Sequence, residues 1–203
     1  MINKIFKRLM VTFSNLLKGK SYLFDGNDAA FKSVIQGIDY YGEYGMGKST
    51  IWVANNTQIK KIFAVDTSKE WVDKVQSGVG TDVLEAEWVD LGQLAKWGMP
   101  VDYSKRESIL NYVESIWERE QKPQLVLVDG RFRVACFLYS LATGAPGTKI
   151  IFDDYTDRPH YHLVEEFVKR SETCGRQCVF IIPEDLDKVK VMSLMSQFLL
   201  VME

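Results

Sequence analysis

Residues Gly42 to Thr50 read GEYGMGKST, and two different glycine-rich turns fit those nine residues. In the pattern G-x-x-x-x-G-K-[ST], Gly42, Gly47, Lys48 and Ser49 form a phosphate loop, with Lys48 on the β/γ-phosphates and Ser49 on Mg²⁺. In the pattern acid-x-G-x-G, Glu43, Gly45 and Gly47 form the turn after the first strand of a doubly wound fold, where a nucleoside cofactor binds. The surrounding residues weigh the two. Glu43 would place a carboxylate in a loop meant for anions, although Asp129, after the run LVLV, could serve as a second magnesium-side acid. Under the second reading Asp66 has a task. It follows Gly47 by 19 residues and ends the run KIFAVD, where a carboxylate accepts ribose hydroxyls.

Outward from this turn the chain alternates short apolar runs with helical stretches. Strands are expected at Ile38–Glu43, Lys61–Asp66, Asp82–Asp90, Gln124–Asp129, Thr148–Asp154 and Gln177–Pro183. Helices are expected over 24–38, 49–57, 68–77, 104–120, 131–143 and 159–172, and the tail reads as a short helix and a last edge strand with no chemical signal. This alternation predicts an α/β protein of three layers, doubly wound around a mostly parallel sheet. LVLV and KIIF lack a polar face, as strands buried on both sides do. Asp66, Asp90, Asp129, Asp153 and Asp154 all fall at the carboxyl ends of strands, the edge where open α/β sheets bind ligands.

The 203 residues suit one domain over 23–203, after a basic amphipathic helix over 1–22. That helix carries Ile2, Ile5, Phe6, Leu9, Phe13, Leu16 and Leu17 at helical spacing with Lys4, Lys7, Arg8, Lys18 and Lys20. Such a helix lies peripherally on an anionic membrane or packs on its own domain or a second subunit, as in a homodimer. It lacks a signal-peptide pattern, and no run is long enough to span a bilayer, so the expected location is cytoplasmic, with or without a membrane contact. A net charge of −2 gives no reason to expect nucleic acid as a partner. Cys136, Cys174 and Cys178 read as reduced thiols, and the C-x3-C pair lacks the second pair that a tetrahedral metal site needs.

EYGMGKST, then IFAVDTSKEWVDKV, VDLG, LVLVDGRFRVACFLYSLA and IIFDDYTDRPHY, resemble the class I, Rossmann-like S-adenosylmethionine-dependent methyltransferases over about residues 24–183. The order and spacing of the motifs carry the resemblance; none is specific alone. It implies Glu43, Gly45 and Gly47, with Ser49, around the methionine part of the cofactor. Asp66 and Thr67 would take the ribose, Asp90 and Leu91 the adenine, and Asp129 the border of the pocket. Lys48 departs from the small residue usual beside the second turn glycine. The implied activity is methyl transfer from S-adenosylmethionine to a small-molecule or carbohydrate acceptor, at oxygen. The other readings are a phosphate-loop kinase or ATPase and a non-catalytic cofactor-binding scaffold.

Asp129, Asp153 and Asp154 resemble the acidic triad of magnesium-dependent O-methyltransferases, in which the cation would lower the pKa of an acceptor hydroxyl. The alternative is that these acids border the pocket and cap a loop. Arg131 and Arg133 either clamp a ligand anion bidentately or pair with Asp153 and Asp154. His160 is the candidate general base; a surface position is the alternative for it and for His162. Asp129, His160 and Arg131 are therefore the candidate catalytic residues. The five tryptophans read as core.

Overall fold

The structure is a computed structural model and describes residues 23–24, 27–79 and 82–203; the expected amphipathic helix over 1–22 lies outside them. After a short helix α1 (Ala29–Val34) come β1 (Tyr40–Tyr44), α2 (Lys48–Asn56), β2 (Lys61–Asp66), α3 (Lys69–Gly78) and β3 (Leu84–Trp88). There follow α4 (Ile109–Glu114), β4 (Leu125–Val128), α5 (Arg133–Thr143), β5 (Lys149–Phe152), β6 (Glu172–Cys174), β7 (Gln177–Ile181) and α6 (Lys188–Phe198).

The strands form one sheet in the order β3-β2-β1-β4-β5-β7-β6. The first five are parallel, and β7 runs antiparallel to both of its neighbours. Alternate residues of each central strand feed two separate cores. Phe63, Val65, Val126, Val128, Ile150 and Phe152 pack under α4, α5 and α6. Ile62, Ala64, Leu125, Leu127 and Ile151 pack under α1, α2 and α3. Leu125 to Val128 are wholly buried, which is why LVLV has no polar position: a parallel strand covered on both faces gains from burial at every residue.

All six expected strands are present, and the differences have local causes. The stretch expected as a helix over 159–172 winds only as 3-10 turns over Pro159–Glu166 and then enters β6, which pairs with β7 across the turn at Gly175 (φ +60°). Only Ile109–Glu114 of the expected 104–120 helix is α-helical. The tail forms the helix α6 but no edge strand: Leu200 O accepts from Tyr103 Oη at 2.9 Å, and Glu203 Oε1 accepts from Val134 N at 2.9 Å. Cys174 and Cys178 face opposite cores, so they cannot share a metal. Trp117 is core, but Trp71, Trp88 and Trp97 are exposed.

The order reverses between β1 and β4, and there the two following loops touch. A Cβ on Gly45, whose φ is +89°, would lie 2.6 Å from Gly130 Cα; one on Gly130 would lie 2.1 Å from Tyr112 Oη. Gly130→Ala is therefore expected to destabilise the fold by about 2–4 kcal/mol, through overpacking that moves Tyr112 or the β1 loop. Urea denaturation would measure it.

Candidate functional site

The turn after β1 is built on Glu43, which is fully buried. Its Oε1 accepts a short hydrogen bond from Ser49 Oγ, and Oε2 is buried without a partner. Burial pushes the Glu43 carboxyl up to about 7, with Asp66 adding repulsion and the hydroxyls of Ser49, Thr50 and Tyr41 opposing the shift. Ser49 is thus turned inward, where it supports Glu43. The turn's own amides are committed: Gly45 N to Val65 O, Met46 N to Asp66 Oδ2 and Gly47 N to Thr50 Oγ1, each at 2.9 Å. A phosphate loop needs such amides free for its ligand, and Lys48 is exposed. Beside Gly47, however, a Cβ would meet nothing within 4 Å, so space is open over the turn.

Asp66 ends β2 beside that space. Its Oδ1 accepts from Ser68 N at 2.7 Å and its Oδ2 from Met46 N, which leaves each oxygen a further lone pair. Burial raises its pKa to about 6 against the lowering by those amides and by Arg131. Thr67 is buried and donates to Gly98 O at 2.7 Å, while its carbonyl accepts from Trp88 Nε1 at 3.0 Å. Trp97, beside Gly98, is 86% exposed at φ +64°. Asp90 accepts from Gly92 N and pairs closely with Lys105, and Leu91 lies in the core. A surface cavity of about 390 Å³ opens there, lined in part by Trp88, Asp90, Lys105 and Asn111.

Both Glu43 and Asp66 keep their protons to higher pH in the fold than in the unfolded chain. Between pH 4.5 and about 7 the folded chain retains the Glu43 proton that the unfolded chain has released, so stability falls as pH rises through that window. The Glu43 share is about 3 kcal/mol. Glu43→Gln, which keeps the bond from Ser49, is expected to remove that share. Urea midpoints of the two proteins should then converge at pH 5 and separate at pH 8 in favour of the variant.

Across the reversal point, Asp129, Asp153 and Asp154 bring carboxylate oxygens within 4.8 Å of one another. Arginines hold them. Arg133 Nη2 reaches Asp129 Oδ1 at 3.0 Å, and Arg133 Nη1 reaches Asp154 Oδ2 at 3.1 Å, an oxygen shared with Arg158 at 2.7 Å. Arg176 takes both oxygens of Asp153 and Asp154 Oδ1. Arg133, nearly wholly buried, also donates to the carbonyls of Asp129, Gly130 and Asp153. Asp154 and Phe132 hold left-handed backbone (φ +57° and +53°) on either side of this clamp. Asp129 keeps 27% of its side chain exposed; burial and then Asp153 raise its pKa well above the usual carboxylate range. Arg131 Nε is buried without a partner. His160 is exposed, its ring edge-on to Tyr161 at 4.4 Å, and His162 Nε2 lies 3.1 Å from Tyr155 O.

Glu43, Asp66, Asp129 and the arginines after it, which the sequence singles out, lie at the carboxyl edge of the sheet around β1, β2 and β4. Sequence reasoning passed over Arg176, which sits in the β6–β7 turn, and Glu203, which lies beside Arg133, Arg158 and His160. Neither belongs to a motif, since both arrive by tertiary packing.

No family model and no curated protein matches this sequence. Among solved structures, a methyltransferase-like protein from Silicibacter pomeroyi DSS-3 is 27% identical, covers 88% of this chain and 96% of its own length, and superposes with a TM-score of 0.74. Two others align more loosely. An RNA methyltransferase from Salinibacter ruber in complex with S-adenosylhomocysteine is 16% identical over 73% of this chain and 83% of its own, at a TM-score of 0.43. The N-methyltransferase NodS from Bradyrhizobium japonicum WM9 with the same ligand is 12% identical over 72% and 79%, at 0.47. Motif order, strand order and the Silicibacter neighbour agree: this chain has the Rossmann-like fold of the class I S-adenosylmethionine-dependent methyltransferases.

Proposed function

We propose that this protein is an S-adenosylmethionine-dependent methyltransferase acting at oxygen on a small-molecule or carbohydrate acceptor. One observation carries the reading. At the point where the strand order reverses, open space over Gly47 stands beside the Asp66 carboxylate, which has lone pairs left for a diol. The cofactor, when bound, supplies an electrophilic methyl group on a sulfonium. The chain's own residues would do the rest. Asp66 would orient the ribose, the Gly45–Gly47 backbone would let the amino-acid end approach, and Asp90 with Leu91 would border the base. Asp129 is the most exposed member of the acidic cluster, and its raised pKa makes it the better proton acceptor for an acceptor hydroxyl. His160 stands exposed beside Tyr161, a placement that favours Asp129 as the base.

The acidic cluster does not fit a resident Mg²⁺. Five of its six carboxylate oxygens already accept from arginine, and a hard cation needs such oxygens free of competing cations. No metal-assisted step is therefore proposed.

Isothermal titration calorimetry tests the reading: micromolar binding of S-adenosylhomocysteine and no binding of ATP with Mg²⁺ is the expected result, and the reverse would overturn it. A second prediction separates the turn's two glycines. Gly47→Val puts its side chain into open space but makes a poorer N-cap for α2, so stability should fall by only about 1 kcal/mol, while S-adenosylhomocysteine affinity falls at least about tenfold through lost space for the ligand.

A further inference from the structure

Four guanidiniums crowd the ends of β4 and β5. Arg133, Arg158 and Arg176 each hold carboxylates. Arg131 holds none: its Nε is buried without an acceptor, and no ion pair or side-chain hydrogen bond engages its guanidinium among the described residues. Its backbone is fixed on both sides, by Arg131 N donating to Tyr112 Oη at 3.3 Å and by Arg131 O accepting from Cys136 Sγ. The left-handed Phe132 that follows is wholly buried. The residue as a whole is half-buried, and within its fork Nε is sealed from solvent. A guanidinium taken partly out of water beside a second one, Arg133, loses hydration that no protein group replaces. Such an arrangement is retained at a stability cost unless an anion completes it. The guanidinium also acts electrostatically with both carboxylates assigned to the two reactants, Asp66 and Asp129.

We propose that Arg131 is an anion-binding residue of this site, taking a carboxylate or phosphate group side-on through Nε and one Nη. The inference rests on the methyltransferase reading for which anion arrives, and two sources share the chemistry: the carboxylate of the cofactor's methionine part, or an anionic group on the acceptor. A planar fork suits either, since both present two oxygens at the spacing of two parallel N–H donors.

Calorimetry on the full chain distinguishes the sources, with the Arg131→Gln and Arg131→Lys variants beside wild type. The probes are S-adenosylhomocysteine, 5′-methylthioadenosine (the same nucleoside and sulfur without the amino-acid carboxylate) and inorganic phosphate followed by thermal shift. If the cofactor is the source, Arg131→Gln weakens S-adenosylhomocysteine by about 10- to 100-fold. Methylthioadenosine is then unchanged, and Arg131→Lys recovers only part of the loss. If the acceptor is the source, S-adenosylhomocysteine affinity is unchanged, and phosphate stabilises the saturated wild type but not the glutamine variant. Because no ion pair or side-chain hydrogen bond holds the Arg131 guanidinium among the described residues, neither variant should lower the melting temperature, and the lysine variant keeps the test valid if glutamine does. Equal responses of wild type and both variants to all three probes would overturn the proposal. Should wild type bind neither nucleoside, the methyltransferase reading fails separately. Phosphate on the unliganded protein then decides: stabilisation of wild type alone supports Arg131 as an anion receptor, and equal shifts overturn it.

Discussion

Asp66→Asn is expected to weaken S-adenosylhomocysteine binding by about 100-fold or more. A carboxylate accepting both hydroxyls of a ribose makes two hydrogen bonds to a charged acceptor, each contributing about 1.5–3 kcal/mol. The amide loses more than charge. Both Asp66 oxygens already accept backbone N–H groups, from Met46 and Ser68, so an amide nitrogen at either position opposes a donor with a donor. That defect loosens the Gly45–Gly47 turn from the end of β2, and the variant should melt lower as well as bind more weakly. The wild type carries a matching pH signature. Because the Asp66 carboxyl is pushed up to about 6, the ionised acceptor is lost as pH falls through that value. Affinity should therefore decline below pH 6, by up to tenfold per pH unit, and the decline should vanish in the asparagine variant. Calorimetry at pH 5, 6 and 7.5 measures both effects. Unchanged affinity in the variant at pH 7.5 would remove Asp66 from the site and, with it, the reason for preferring a nucleoside over a phosphate at the opening turn.

What the sequence disclosed, and what it concealed, divides along a physical line. Lys61–Asp66 and Leu125–Val128 were legible because strands buried on both faces must be apolar at every position and must end where the backbone meets solvent. The ambiguity of GEYGMGKST was real at the level of pattern. Hydrogen bonds weigh against the phosphate loop: Val65 O, Asp66 Oδ2 and Thr50 Oγ1 claim three amides of the turn that a phosphate would need. Residues 159–172 looked helical by apolar spacing, but Glu172–Cys174 pair with β7 instead, an outcome decided by a strand whose fit is visible only in three dimensions. Of the arginines on the acidic cluster, Arg133 was an expected partner of Asp154, whereas Arg176 was hidden for the same reason. Asp129, Asp153 and Asp154 do converge, yet Arg176 comes from a turn over twenty residues along the chain, and no local spacing announces it. Trp97 is the reverse case, an aromatic residue expected in the core that stands exposed on left-handed backbone. Nothing in its neighbours in the sequence signals that.

Arg133→Met is the substitution expected to damage the fold most. Methionine fills much of the stem volume and removes only the fork, so the loss reads the charge and its hydrogen bonds rather than a cavity. Arg133 is nearly wholly buried and links the carboxylates of Asp129 and Asp154 to the carbonyls of Asp129, Gly130 and Asp153. Removing one partner of a buried pair leaves uncompensated charge, with a cost of about 3–5 kcal/mol. The pH dependence identifies the cause. Desolvation and Asp153 already raise the Asp129 carboxyl, and Arg133 is the group that opposes them most; without it the folded-state pKa rises further above the unfolded value. A carboxyl in that state stabilises the fold in its protonated form, so the deficit of the variant should shrink as pH falls from 8 to 5. Urea denaturation at both pH values measures it. Adding Mg²⁺ to the wild type should leave its unfolding midpoint unchanged, because the arginines already occupy the oxygens a cation would need. If Mg²⁺ instead stabilised the wild type and rescued the methionine variant, the acids would be metal ligands and the arginines merely their substitutes in its absence. A pH-independent deficit in the variant would mean that Arg133 acts through its carbonyl contacts alone, as a tether between the ends of β4 and β5.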